Sequence, residues 1–125
     1  MKTSKEFLDY FESRTQDLYQ LAAKAQKEYA HPDNVFANFD KLADDLDTDR
    51  KKILFIYMKK HLDAIRNFIN DPNCLVREPI LGRTGDVIVY LLLLEFMVVD
   101  DASNVYTVAN DNNLYPSITD LQRAK

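Results

Sequence analysis

The polar side chains spaced for chemistry lie in the second half of the chain: Lys60 with His61, then Glu78, Arg83 and Asp86. Glu78, Gly82, Asp86 and Tyr90 follow one another at four-residue steps, so on a helix they share one face. Arg83, three residues before Asp86, falls on nearly the same face. A carboxylate set into an otherwise apolar helix is costly to bury without a partner. One reading is an Arg83–Asp86 ion pair that seals the helix end. The other is a pocket in which Arg83 meets phosphate, or Asp86 holds a metal or a base edge. Lys60, if directed at that helix, adds a second phosphate-binding cation; a Lys59-Lys60 run equally makes an ordinary solvated face. His61 stands about four residues from Tyr57 and from Ile65, at the edge of a buried stripe, where it can also be a plain boundary histidine.

A second group of residues surrounds the bend Tyr29-Ala30-His31-Pro32-Asp33-Asn34, which is followed by Asn38-Phe39. Asn side chains read base edges and aromatic rings stack on bases, but Asp33 or Asn34 in such a bend also simply caps a helix. Arg50, Lys51 and Lys52 open the third helix, where cations oppose the helix dipole. Pairing with Asp47 and Asp49 explains them more readily than an anion site does. His31 and His61 lie on different elements, and local spacing sets no serine or cysteine beside either, so nothing points to a nucleophile–base pair.

Positioning these residues requires helices. Of 125 residues 46% are hydrophobic, enough for one domain with a single core. The first helical pattern runs from about Thr3 to Tyr29; Thr3 and Glu6 form a capping box, and Phe7, Tyr10, Phe11, Leu18, Leu21, Ala22, Ala25 and Tyr29 make one stripe. The second runs from Asp33 or Asn34 to Asp45, burying Val35, Phe36, Phe39, Leu42, Ala43 and Leu46. The third covers roughly Asp49 to Asn70, with Ile53, Leu54, Tyr57, Met58, Leu62, Ile65, Phe68 and Ile69 inward. The fourth starts at Glu78-Pro79, where proline suits the first helical position, and continues to about Asp100. It is apolar all round from Val87 to Leu94, which predicts a central helix covered by the others. The Asn-rich last 25 residues, from 101 to 125, read as an irregular tail with a short helical turn near Ser117 to Gln122. The expected fold is an all-α bundle of four main helices in a single domain, 1–125.

Several function classes are excluded. The chain has two glycines, Gly82 and Gly85, and both fall in one short window, so no glycine-rich phosphate loop or dinucleotide fingerprint exists. One cysteine, Cys74, and two histidines cannot build a Cys/His zinc site. A net charge of −4 argues against coating nucleic acid through bulk electrostatics. The N-terminus lacks the apolar run of a signal peptide, and the longest apolar stretch is short of the roughly 20 residues a membrane span needs. A soluble, cytoplasmic protein with no membrane partner is expected.

The runs KEYAHPDNVFANFDKLA, MKKHLDAI and REPILGRTGDVIVYLLLLEFM resemble the first nucleotide-modification-associated domain family, common in bacteriophage genomes. The residues carrying the resemblance are Tyr29, Asn38, Phe39, Lys60, His61, Glu78, Arg83, Asp86 and Tyr90, over about residues 22 to 99. Ala30 stands where that family usually has glycine. The family is similar in layout to the all-α nucleoside triphosphate pyrophosphatases of the MazG type. The resemblance implies a nucleotide or modified-nucleotide ligand in an infected bacterial host cell, held by the same residues; the face that Gly82 shares with Glu78 and Asp86 adds Gly82 to the ligand-binding set.

MazG-type hydrolysis holds Mg²⁺ on several carboxylates, because the ion prefers octahedral oxygen ligation and must neutralise a phosphate chain. Here Arg83 stands where a paired carboxylate would be; Glu78 and Asp86 are the metal ligands if there are any, and Glu6, Asp9 and Glu12 lie outside the matched region. The expectation is a binder that does not cut its ligand, acting in modified-nucleotide metabolism or sequestering a host nucleotide signal against defence, with no cofactor. A Mg²⁺-dependent pyrophosphatase and a structural or interaction protein are the alternatives. A homo-oligomer is expected in each case, with Phe96, Met97, Val98 and Val99 as a candidate contact. Each helical glycine costs roughly 1 kcal/mol relative to alanine. Gly82 is expected to leave room for a ligand or neighbouring helix, and Gly85 to permit close packing.

Overall fold

A computed structural model describes residues 2–29, 33–74 and 78–104. Four α-helices account for nearly all of them: α1 (Ser4–Tyr29), α2 (Ala37–Asp45), α3 (Arg50–Asn70) and α4 (Ile80–Asn104), with no strand among the described residues. The all-α helical bundle is the observed fold class. The chain divides into a unit of residues 1–90 and a unit of residues 91–125, the boundary falling within α4.

The helix starts follow from capping chemistry. Thr3 and Glu6 make the reciprocal box: the Glu6 N–H donates to Thr3 Oγ1 at 3.1 Å, and the Thr3 N–H donates to Glu6 Oε1 at 3.2 Å. The bonds from Thr3, then Lys2, hold the Glu6 carboxyl below its ordinary pKa. Asp49 caps α3 by accepting the Lys51 N–H at 2.8 Å, and that bond leads in lowering its pKa. The α2 start differs from expectation. Asn34 does not cap a helix there; its Oδ1 accepts the Phe36 N–H at 2.9 Å, its carbonyl accepts the Ala37 N–H, and the resulting turn delays the helix to Ala37. The α2 N-cap is Phe36, which offers no side-chain bond. Pro79 likewise precedes its helix, accepting from the Gly82 and Arg83 N–H groups, so Glu78 lies just outside α4. At the other end α4 continues to Asn104, so 101–104 are helical, not part of an irregular tail. The rest of the expected tail, 105–125, and the His31-Pro32 stop lie outside the described residues.

Between α2 and α3 the chain reverses through a C-terminal motif. The Thr48 N–H donates to the Ala43 carbonyl and the Asp47 N–H to the Asp44 carbonyl, with Asp47 in the left-handed region at φ 52°. That turn lays α2 on α3, and the core forms there: Phe36, Phe39 and Ala43 against Ile53, Leu54 and Met58, all buried. Arg50 closes the edge of this core, 4.5 Å above the Phe36 ring and 3.4 Å from Asp40. Of the expected pairings at the α3 start, Lys51 does meet Asp49, at 3.2 Å, while Arg50 reaches back to α2. Leu46 and Ile69, read as inward, are exposed, each lying at or just beyond a helix end.

The α1 stripe is mostly exposed. Leu18 is buried, but Phe7, Tyr10, Phe11 and Leu21 are not. Helical period specifies which residues share a face and says nothing of how far the covering helix extends. Contact between α1 and α4 runs through Arg14, whose Nη2 donates to the Leu81 carbonyl at 2.7 Å, and through Leu18 and Gly85. A Cβ on Gly85 would stand 3.0 Å from Leu18 Cδ2 and 2.8 Å from Arg14 Nη2, so this glycine permits the close approach expected of it. Along α4, Gly85 and Met97 are buried while Leu81, Leu92 and Phe96 are exposed, so its cover is partial. Met97 is fully buried and is therefore not free for the oligomer contact expected of it. No helix among the described residues is long and apolar enough to cross a membrane.

Candidate functional site

His61 is the one buried polar side chain among the described residues, and the site is built around it. It lies one turn past Met58 on α3, at the margin of the core stripe, so its ring is carried inside by the residues that bury Leu54 and Met58. From α4, Arg83 brings Nη1 to 3.1 Å from His61 Nδ1. A guanidinium only donates, so this contact is a hydrogen bond when Nδ1 offers its lone pair. The same Nδ1 is 3.6 Å from Asp86 Oδ2. Arg83 Nη1 is also 3.4 Å from Glu78 Oε2, which binds the helix entry to the first turn of α4.

Arg83 is largely buried, and its Nε has no hydrogen-bond partner. Glu78 and Asp86 are about half exposed. Two carboxylates face one guanidinium, a formal net charge of −1 for these three side chains. The donor atoms of His61, Glu78 and Asp86 lie within 4.8 Å of one another, a spacing that suits a metal ion as well as the guanidinium. Gly82 leaves room for Glu78: a Cβ there would stand 3.2 Å from Glu78 Oε1, so the carboxylate would have to shift by a few tenths of an ångström.

Tyr90 forms one wall, its ring 5.9 Å from that of His61 with the planes 32° apart. Burial, then the Asp86 charge, then Tyr57 raise the pKa of its hydroxyl above the ordinary tyrosine value. Tyr57, one turn before His61, extends the aromatic surface and packs on Phe39 of α2 at 5.8 Å. Its sequence position marks it as a core residue, yet it is more than a third exposed. The signal for it is its four-residue step to His61.

The expected set thus divides. His61, Glu78, Gly82, Arg83, Asp86 and Tyr90 converge, and Phe39 stands behind them through Tyr57. Asn38 is exposed on the first turn of α2 and takes no part in the cluster's hydrogen bonds. Lys60 is exposed and belongs to none of the cluster's hydrogen bonds or ion pairs; its neighbour Lys59 pairs with Asp63 at 3.0 Å. Tyr29 is the last residue of α1, and its side chain lies outside what is described. The expected Arg83–Asp86 pair is replaced by two contacts: Arg83 turns to Glu78 and His61, while Asp86 faces His61. No family model, no curated protein and no solved structure matches the chain.

Proposed function

We propose that the chain is a non-catalytic nucleotide-binding protein of phage type, serving modified-nucleotide metabolism or sequestering a host nucleotide signal. The observation that carries the reading is Arg83 in the cation position of the cluster. Its Nη1 lies between His61 and Glu78, where a hydrolase would need a divalent ion. A guanidinium supplies charge and directed donors but activates no water. The half-exposed carboxylates of Glu78 and Asp86 accept N–H groups of a base, Tyr90 lends a ring, and the unpartnered Arg83 Nε takes a phosphate or sugar oxygen as the side chain adjusts. Lys60, free on the neighbouring helix, adds charge for the phosphate chain. The cluster's net negative charge requires that the base contribute, so inorganic phosphate alone binds poorly.

The test is mass spectrometry of small molecules released from the purified chain, with a thermal-shift panel of nucleotides and inorganic pyrophosphate. Intact nucleotide is expected on denaturation, and Arg83→Ala is expected to abolish its retention. A hydrolysed product, or stabilisation by pyrophosphate as great as by any nucleotide, defeats the proposal. A second reading, a Mg²⁺-dependent nucleotide pyrophosphohydrolase, is favoured by the converging donors of His61, Glu78 and Asp86. It requires pyrophosphate release from a nucleotide with Mg²⁺, abolished by Asp86→Ala.

A further inference from the structure

On α1, Phe7, Tyr10, Phe11, Leu18 and Leu21 share one face by their three- and four-residue spacing. Leu18 alone among them is covered, by the close approach at Gly85; Phe7 is 61% exposed, and Tyr10 and Phe11 are each 55% exposed. Phe7 and Phe11 are already set against one another, edge to face with centroids 6.2 Å apart. On α4, Leu81 and Ile88 fall on the same face as Gly85 and are also exposed, so the apolar surface continues across the Leu18–Gly85 contact onto the second helix.

We propose that a second copy of this chain docks on this α1–α4 face across a two-fold axis. At roughly 200 Å² for an aromatic side chain, the three rings alone leave on the order of 340 Å² of apolar surface in water. Leu21, Leu81 and Ile88 carry that toward the roughly 800 Å² per partner of a standard stable interface, and beyond what most monomers expose in one patch. A two-fold pairing covers the same face on both copies at once, which no single heterologous partner does. Two helices with one open apolar side are half of a four-helix layer pair, and a second copy supplies the other half. The stripe between the flanking charges holds one cation, Arg14, and its guanidinium is tied to the Leu81 carbonyl. Apolar residues dominate this face, as they dominate the cores of homodimer interfaces.

Light scattering and sedimentation of the full chain at micromolar concentration test this. The expected mass is about twice 14.5 kDa. The double variant Phe7→Glu/Phe11→Glu is expected to run at the monomer mass, with association weakened at least ~100-fold and helix content by circular dichroism unchanged, since both rings are exposed on one chain. Phe55→Glu, at an equally exposed position on α3, is expected to leave the dimer intact. Should the double variant lose helix, Leu21→Glu is read the same way. A wild-type chain at the monomer mass throughout overturns the proposal, as does a dimer that survives the α1 substitutions or yields to Phe55→Glu.

Discussion

The two glycines of α4 separate helix propensity from packing when each is replaced by alanine. Neither has a positive φ, so alanine fits the backbone at both positions. Each substitution gains roughly 0.8–1 kcal/mol of intrinsic helix stability. At Gly82 the new methyl meets Glu78 Oε1 at 3.2 Å, the far end of a half-exposed side chain that swings away readily. The pair it loosens, Arg83–Glu78, is partly solvated, and such pairs contribute about 0–1 kcal/mol. Gly82→Ala is therefore stabilising by about 0.5 kcal/mol while weakening ligand retention, because Glu78 leaves its place beside Arg83. At Gly85 the methyl meets Leu18 Cδ2 at 3.0 Å and Arg14 Nη2 at 2.8 Å. Leu18 is buried and cannot retreat without cost, and overpacking of this kind costs about 1–3 kcal/mol. Displacing Arg14 from the Leu81 carbonyl costs about 1 kcal/mol more. Gly85→Ala is destabilising by about 1–3 kcal/mol. Urea denaturation of both variants beside the wild type reads the difference directly. Shifts of the same sign and size at the two positions would refute the packing argument, since propensity alone would then explain them.

Two more predictions rest on single residues. Asp47 occupies the left-handed position that closes α2, where glycine avoids the Cβ penalty; Asp47→Gly is expected to raise stability by about 0.5–1 kcal/mol, measured as the denaturation midpoint. Tyr90 has a raised pKa in the folded chain, so the unfolded chain ionises first. Its contribution is fully present below the ordinary tyrosine pKa of 10.0 and is lost as pH rises through the higher folded value. Tyr90→Phe should flatten that alkaline loss, followed by tyrosinate absorbance together with circular dichroism, and an unchanged profile would count against the burial of its hydroxyl.

Much of the architecture is legible in local chemistry. Thr3 with Glu6 marks the start of α1 because that cap is satisfied within one turn of chain, and nothing distant competes. The α2 start was less legible: Asn34 had a cap's composition but spent its side chain on a turn, since Phe36 had to enter the core. In the candidate site, the four-residue steps set Gly82, Asp86 and Tyr90 on one face, as helical geometry requires. They left open which partner Arg83 takes. Asp86 lies close in sequence, but Glu78, outside the helix, and His61, on another helix, hold the guanidinium instead.

By itself, then, the order of residues determined the four helices, the Thr3–Glu6 cap, the absence of a phosphate loop and the grouping of polar residues on α4, all consequences of interactions within a few positions of chain. Tertiary structure alone decided that His61 is buried beside Arg83, that Tyr57 joins the site, and that the α1 stripe stays uncovered beyond Leu18. These depend on where one helix ends against another, and the periodicity of a helix carries its face but not the reach of its neighbour.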